Sequence, residues 1–476
     1  MHVGCRLRLG EPAIRPTGNL TLKIGCAQLP ARPVGEARAA LDHIIRAIER
    51  AAARDVDLLV MPECSYPGYI LLRRDPYGAA IPGPAQALAR IAAAAKRTAV
   101  AVTVGLARPG PSGELRNEAV FIDRRGRELA RYAKIHLWNF DRRWFAPGDV
   151  AAAFETDFGR LGMMICADGR VPEIARGLAS SGAWLILDPT AWVSDGERYD
   201  TMRNPQVEFL LSVRAKENGV WIAAADKCGS EMSAVHYVGR SMVVDPSGAV
   251  RALGPPSGPA LVVAEVTRRR VRFFSCPLSA LERRALSVRS VRVPKASGGR
   301  RGSAERRLQR LGVYQPASIR KGDWQEARRA LAVQTVDAIV NTGWPASVVS
   351  RTLRRIPGLG VATISADRML PPEPARAAAL SGTDVLVWVR PPRGVDVRSF
   401  ARTRALENRI YVIVCASARD PQPACVVAPS GCVIASAIAG TPSGFIAELD
   451  IRAARDKTAV PGTDVFADRR ARFPGL

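Results

Sequence analysis

Histidine is scarce in this chain, four among 476 residues, and neither an HExxH pair nor a GxSxG elbow occurs. The usual carriers of zinc-hydroxide and serine-nucleophile chemistry are missing, so no metal or organic cofactor is expected. Nine cysteines (5, 26, 64, 166, 228, 276, 415, 425 and 432) form an odd set without a CxxC pair. That argues against a disulfide framework or a zinc site and fits a reducing compartment. Apolar runs are short of the roughly 18 residues that cross a bilayer. The first twenty residues lack a signal-peptide core, so no membrane partner is expected and cytoplasmic residence is. Lysine is also rare: eight residues, against 61 arginines, make up the 69 basic side chains. The formal charge of +25 invites a nucleic-acid partner. Its distribution argues otherwise, because residues 267–310 hold thirteen arginines and one lysine against Glu282 and Glu305. Half the excess sits in one junction, and nucleic acid is not the expected partner.

What is present is ordinary for a globular protein, with 47% hydrophobic and 24% charged residues. A chain of 476 residues suggests two or three domains. Residues 1–20 read as an irregular extension. Residues 21–28 (TLKIGCAQ) then read as a strand, and 36–54 space Ile44, Ile45 and Ile48 as a helix does. Strand follows at 56, helix at 82–97, strand at 99–105 and a hairpin sequence around GPSGEL. Helix at 204–218, strand in VWIAAAD, a PSG turn within 241–250 and strand at 260–266 continue the alternation, which implies an α/β layer structure.

Three segments carry chemistry. VDLLVMPE (56–63) is an apolar strand ending in Pro62 and the carboxylate of Glu63. YAKIHL (132–137) holds Lys134 among apolar and aromatic neighbours. In LGMMICADGRVPEIARGLASSGAWLILDPTAW (161–192) a strand at 161–165 runs into a sharp turn at Cys166, and Pro172 and Glu173 begin a helix. A thiol there lies beside a helix N-terminus, which favours a thiolate. An acid, an ammonium and a thiol at three strand ends form a plausible hydrolytic site.

With LLVMPE, YAKIHL followed by FAPGD (145–149), and MICADGRVPE followed by GAWLILDPTAW, the chain resembles the carbon–nitrogen hydrolases of the nitrilase superfamily and their Glu–Lys–Cys site. RAKENGVWIAAADKCG (214–229) and SMVVDPSGAV (241–250) match more loosely, and the resemblance spans residues 21–284. It implies a four-layer αββα sandwich. It also implies thiol-dependent hydrolysis of a non-peptide C–N bond through a cysteine thioester, releasing ammonia or an amine. Cys166 would be the nucleophile and Glu63 the general base and acid. Lys134 and the Ala167 backbone N–H would stabilise the oxyanion, and Lys134 would also depress the thiol pKa. Asp141 is the nearest match to a second glutamate of the family, expected to orient Lys134 or the substrate amine. Cys166–Ala167–Asp168 resembles amidases and carbamoylases more than nitrile-cleaving relatives, so the expected ligand is a small amide or N-carbamoyl compound. Arg170 is a candidate for a substrate carboxylate, and Tyr69, Trp138 and Trp192 are candidate pocket residues. Acyl transfer to an amine, nitrile hydrolysis and a scaffold role remain the alternatives.

After a Gly/Ser-rich junction the chain repeats itself. GVYQPASIRKGDWQEARRAL (from 312) echoes GCAQLPARPVGEARAAL, VDAIVNTGWP (from 336) echoes VDLLVMPECSYP, and FARTRALENRIYVIVCA (from 400) echoes FLLSVRAKENGVWIAAA. GLGVATISADRMLPPEPARAAALSGTDVLVW (from 358) echoes the cysteine segment, with Ser365 matched to Cys166 and Asp367 to Asp168; Gly343 stands for Glu63 and the lysine segment is deleted. The expected organisation is an extension (1–20), a catalytic domain (21–285), a basic linker (286–311) and a degenerate, non-catalytic copy (312–476). The second copy would serve as an intramolecular pairing surface, alone or within a homo-oligomer, with a regulatory module as the rival use.

Overall fold

The computed structural model describes residues 20–73, 75–77, 81–194, 203–268, 273–287, 308–316, 331, 336–343 and 345–470. The extension read over 1–20 and most of the junction read over 286–311 lie outside them. The described chain forms two units, one ending at Phe273 and the other running Phe274–Arg469.

The N-terminal unit opens with β1 (Thr21–Pro30), α1 (Ala37–Ala52), β2 (Leu58–Val60), α2 (Pro84–Thr98), β3 (Ala101–Pro109), β4 (Leu115–Ile122) and β5 (Glu128–Ala133). β6 (Phe154–Thr156), β7 (Gly159–Met163), α3 (Pro172–Ser180), β8 (Leu185–Pro189), β9 (Val193–Ser194), α4 (Leu211–Asn218) and β10 (Trp221–Ala225) follow. β11 (Lys227–Glu231), β12 (Val235–Val238), β13 (Met242–Val244), β14 (Val250–Leu253) and β15 (Ala260–Thr267) complete it. α1 buries Ala37, Ala40, Leu41, Ile44, Ala47, Ile48 and Ala51, a three- and four-residue spacing that lays one apolar stripe on the sheet. Ile44 and Ile48 enter the core, while Ile45 is half-buried at its edge.

One sheet runs β5-β4-β3-β2-β1-β11-β12-β9 with β15 antiparallel to β1; the other runs β14-β13-β10-β8-β7-β6. The sheets touch through β1 and β10 and through β2, β3 and β8; α1 and α2 cover the outside of the first, α3 and α4 the outside of the second. The result is the αββα layering expected from the resemblance. The strand read at 161–165 lies two residues earlier, at Gly159–Met163, and the helix read over 204–218 starts as a π-helical turn, Gln206–Leu210, before α4. Glu63, Lys134 and Cys166 each lie just beyond the carboxyl end of a strand, β2, β5 and β7.

The C-terminal unit contains α5 (Ala280–Ser287), β16 (Leu308–Gln315), β17 (Ala338–Asn341), α6 (Ala346–Leu353), β18 (Val361–Ser365), α7 (Pro372–Leu380), β19 (Val385–Val389) and α8 (Val397–Asn408). It continues with β20 (Tyr411–Cys415), β21 (Cys425–Val427), β22 (Val433–Ser436), β23 (Ser443–Asp450), α9 (Ile451–Arg455), β24 (Thr458–Val460) and β25 (Thr463–Asp464). Its sheets are β17-β16-β23, β18-β19-β20-β21-β22 and the β24-β25 pair. α5, placed by the sequence reading at the end of the 21–285 domain, packs within this unit against α7, with Glu282 accepting from Arg368 at 2.6 Å.

Candidate active site

Cys166 opens a one-turn 3-10 helix, Cys166–Arg170, that follows β7, and its φ of 48° is left-handed. A non-glycine residue there costs on the order of 1–3 kcal/mol and persists only where its surroundings hold it. They do so from four sides. The Cys166 N–H donates to Asp188 Oδ1 at 2.9 Å, and Asp168 Oδ2 accepts from the Ile165 N–H at 3.2 Å. Gln206, with its amide turned to satisfy both neighbours, donates to the Cys166 carbonyl at 2.7 Å and accepts from Trp192 Nε1 at 2.6 Å. Arg214, buried and paired with Glu217 at 2.6 Å, donates to the carbonyls of Gly169 at 3.0 Å and Arg170 at 3.2 Å. The Cys166 Sγ lies 3.8 Å from the Ala191 carbonyl.

The charged side chains meet in one buried chain. Lys134 Nζ donates to Glu63 Oε1 at 2.6 Å and to Asp141 Oδ2 at 2.7 Å, and all three side chains are inaccessible to solvent. Asn117 Nδ2 donates to the same Glu63 oxygen at 2.6 Å, leaving Glu63 Oε2 buried and without a partner. Asp141 accepts from the Tyr69 hydroxyl at 2.8 Å and from the Trp138 N–H at 2.9 Å. Asp141 is therefore buried and bonded to Lys134, and is not a solvated loop acid. Asp168 couples the lysine segment to the cysteine turn: it accepts from the Tyr132 hydroxyl at 2.7 Å and the His136 N–H at 2.9 Å, on either side of Lys134.

Burial drives the protonation equilibria. It pushes the Glu63 carboxyl above its ordinary range, against the pull of Lys134 and with help from Asp141. Burial alone would lower the Lys134 ammonium, but Asp141, Glu63 and Cys166 together hold it well above its ordinary value. For Cys166, burial and then the Glu63 charge push the thiol well above its ordinary range, and the lowering by Lys134 is outweighed. Lys134 thus pulls the thiol pKa down as expected, but burial and Glu63 outweigh it. Desolvation wins in a closed site, and the resting sulfur is a thiol.

The other expected residues divide. Trp138 lies under Arg170, whose guanidinium is 4.4 Å from the ring centroid, and burial pulls that guanidinium down to about 10. Tyr69 is buried in the charge network, and Trp192 is buried with its N–H on Asp226 Oδ1 at 2.7 Å. The Ala167 N–H has no hydrogen-bond partner among the described residues. Asn117, Asp188, Gln206 and Glu231 were not singled out in the sequence. Glu231 accepts from the N–H groups of Tyr69 at 2.9 Å and Ile70 at 2.7 Å, fixing the segment after Glu63. Only the aspartate of LDPTAW, at a strand end like the other site residues, offered a signal. Among the described residues no group of three or more His, Cys, Asp or Glu side chains could hold a metal ion. No helix among them is long and apolar enough to cross a membrane.

A two-sheet α/β sandwich with a buried acid, ammonium and thiol at three strand ends defines a thiol hydrolase class. Residues 23–274 match the carbon-nitrogen hydrolase family. The chain is 31% identical over 246 residues to the deaminated glutathione amidase of Escherichia coli O157:H7, spanning 49% of this chain and 87% of that one. It is 30% identical over 228 residues to a nitrilase of Pyrococcus abyssi, spanning 47% and 82%. A solved amidase from Nesterenkonia sp. is similar at 29% identity and a TM-score of 0.46, covering 52% of this chain and 90% of that one. The chain belongs to the carbon-nitrogen hydrolase family, in the nitrilase superfamily, and at that level it is an enzyme of thiol-dependent amide C–N bond hydrolysis.

Proposed function

We propose that Cys166, Glu63 and Lys134 hydrolyse a small amide or N-carbamoyl compound that carries a carboxylate. The observation that carries this reading is the buried Glu63–Lys134–Asp141 chain, with Glu63 Oε2 and the Ala167 N–H both left unpartnered. An amide carbonyl is a poor electrophile and needs a nucleophile, a base and oxyanion donors in one dry site. Glu63, made more basic by burial, takes the thiol proton as Sγ attacks, so thiolate forms only with substrate present. The same proton goes to the departing amine. Glu63 then activates water against the thioester, help of a kind worth roughly 10²- to 10⁴-fold. Lys134 and the Ala167 N–H receive the oxyanion.

Arg170 supports the carboxylate. It is partly buried, stacked on Trp138, and has no carboxylate partner among the described residues. A guanidinium in that state is a fork awaiting a planar anion. Ammonia release from neutral amides, amides with a distal carboxylate and N-carbamoyl amino acids tests the proposal. Cys166→Ala is expected to abolish release, and Arg170→Gln to raise KM for the carboxylates by ~10-fold or more while sparing neutral amides. Equal loss on both substrate classes would remove the carboxylate assignment, and activity in Cys166→Ala would remove the nucleophile. Hydroxamate formation with added hydroxylamine, outpacing hydrolysis, would instead indicate acyl transfer.

We further propose that the C-terminal unit is a shortened, non-catalytic copy. Three correspondences support this. β16 lies between parallel β17 and antiparallel β23, as β1 lies between β2 and β15. Gln315 Nε2 donates to the carbonyls of Ile438 and Thr441, as Gln28 Nε2 does to Pro255 and Gly258. Buried Arg404 pairs with Glu407 at 2.7 Å and donates to the carbonyls of Met369 and Leu370, as Arg214 does in its own turn. Strand register then revises the matching of single residues. Val361 pairs with Val385 and Leu161 with Leu185, which sets Ala366, also at φ 48°, against Cys166, in place of Ser365. Asp168 is met by Arg368 in place of Asp367. Trp388 falls where Asp188 stands, and its buried indole donates to the Ala366 carbonyl at 2.9 Å. One helix, α6, joins β17 to β18 where the first unit has α2 and β3 to β5, so no lysine segment exists. The use we assign to this copy is structural, as a pairing surface carried within the chain.

A further inference from the structure

A sizeable cavity lies away from Cys166. A groove of about 720 Å3 runs between α1, the end of β1 and the start of β15. That volume is in the range of roughly 300–1,000 Å3 typical of small-molecule sites. Its floor is apolar, with Ala27, Leu29, Ala47 and Leu261 among the lining residues. One wall is held rigid, because Gln28 donates to the carbonyls of Pro255 and Gly258 and accepts from the Ser241 N–H. The opposite wall is basic: Arg46 and Arg50, one helical turn apart on α1, and Arg54, just past the end of α1, line it, and no carboxylate does. The acids of α1 are used elsewhere, Asp42 on Arg90 at 3.1 Å and Glu49 on Arg97 at 3.5 Å. Arg46 and Arg50 have no ion pair among the described residues, and Arg54 reaches only the Leu261 carbonyl at 3.4 Å. His43, in the same wall, has Nδ1 buried and without a partner.

Like charges four residues apart on a helix repel. With Arg54, Arg46 and Arg50 set three cations beside an apolar floor with no anion paired to them among the described residues. At about 1.5 Å rise per residue Arg46 and Arg50 stand about 6 Å apart along α1 and Arg54 extends the row past the helix end, more than one carboxylate or phosphate can bridge. We propose that this groove binds a small organic polyanion, two or more anionic centres on an apolar body, and ATP is the probe that presents both parts. The phosphates would lie along Arg46, Arg50 and Arg54, and the base on the floor. The site shares no residue with the catalytic network, so it can be removed without touching the chemistry.

Calorimetric titration of the full chain at fixed ionic strength tests this, with tripolyphosphate and adenosine as comparators. The expected result is saturable ATP binding, at least tenfold tighter than either comparator. The triple change Arg46→Ala, Arg50→Ala, Arg54→Ala should weaken it at least tenfold. Alanine is a strong helix former, so α1 should persist. Amide hydrolysis by the triple variant should stay unchanged, which shows that it is folded. No saturable binding, ATP binding that survives the triple change, or tripolyphosphate binding as tightly as ATP would each overturn the proposal.

Discussion

At the scale of single residues, the site is governed by what burial does to charge. Lys134 has two carboxylates on one ammonium, and the charge of Asp141 adds to the rise of Glu63. Because the Glu63 carboxyl is raised, its working ionised form should be lost on acidification sooner than an ordinary glutamate, whose pKa is about 4.3. The acid limb of kcat/KM should therefore fall above that value. Asp141 contributes to raising Glu63, so Asp141→Asn should move the limb to lower pH while lowering kcat by ~10²-fold through misplacement of Lys134. A pH–rate profile of both proteins checks the sign; an unmoved limb would show that Asp141 does not act on Glu63.

At the scale of elements, the side chains are only as well placed as the strand ends that carry them. Gly105 on β3 passes so close to the Glu63 turn that a Cβ there would lie 2.5 Å from the Pro62 carbonyl and 2.7 Å from the Cys64 nitrogen. Backbone cannot yield as a side chain can, so Gly105→Ala should displace Glu63 and lower kcat by ~10-fold or more, with the protein still folded by circular dichroism. Arg214→Ala should be costlier. It removes the guanidinium from buried Glu217 and frees two carbonyls of the cysteine turn, a loss of about 3–5 kcal/mol measurable by urea unfolding. Much of the element order was legible from periodicity alone, including α1 and the hairpin of β3 and β4. Boundaries near the cysteine were not, because the turn there is set by Asp188, Gln206 and Arg214, all distant in sequence.

At the scale of the molecule, the proposal that the C-terminal unit is a non-catalytic copy separates stability from chemistry. Arg404→Ala should destabilise the C-terminal unit much as Arg214→Ala destabilises the first, yet leave the acylation rate of Cys166 near that of the parent protein. Burst kinetics beside urea unfolding separate the two effects; a matching loss of acylation would argue that the second unit supports the first one's site. The sequence by itself determined the layered α/β class, the three strand-end residues and the family, since short-range periodicity and ordered motifs survive without coordinates. In the second unit letter matching pairs Ser365 with Cys166, whereas the left-handed φ falls on Ala366, because identity of side chains says nothing about which backbone position is twisted. Only tertiary structure could put the left-handed φ at Ala366, bring Asp141 onto Lys134 and raise the thiol pKa, for each depends on which groups the fold brings together and how completely it excludes water from them.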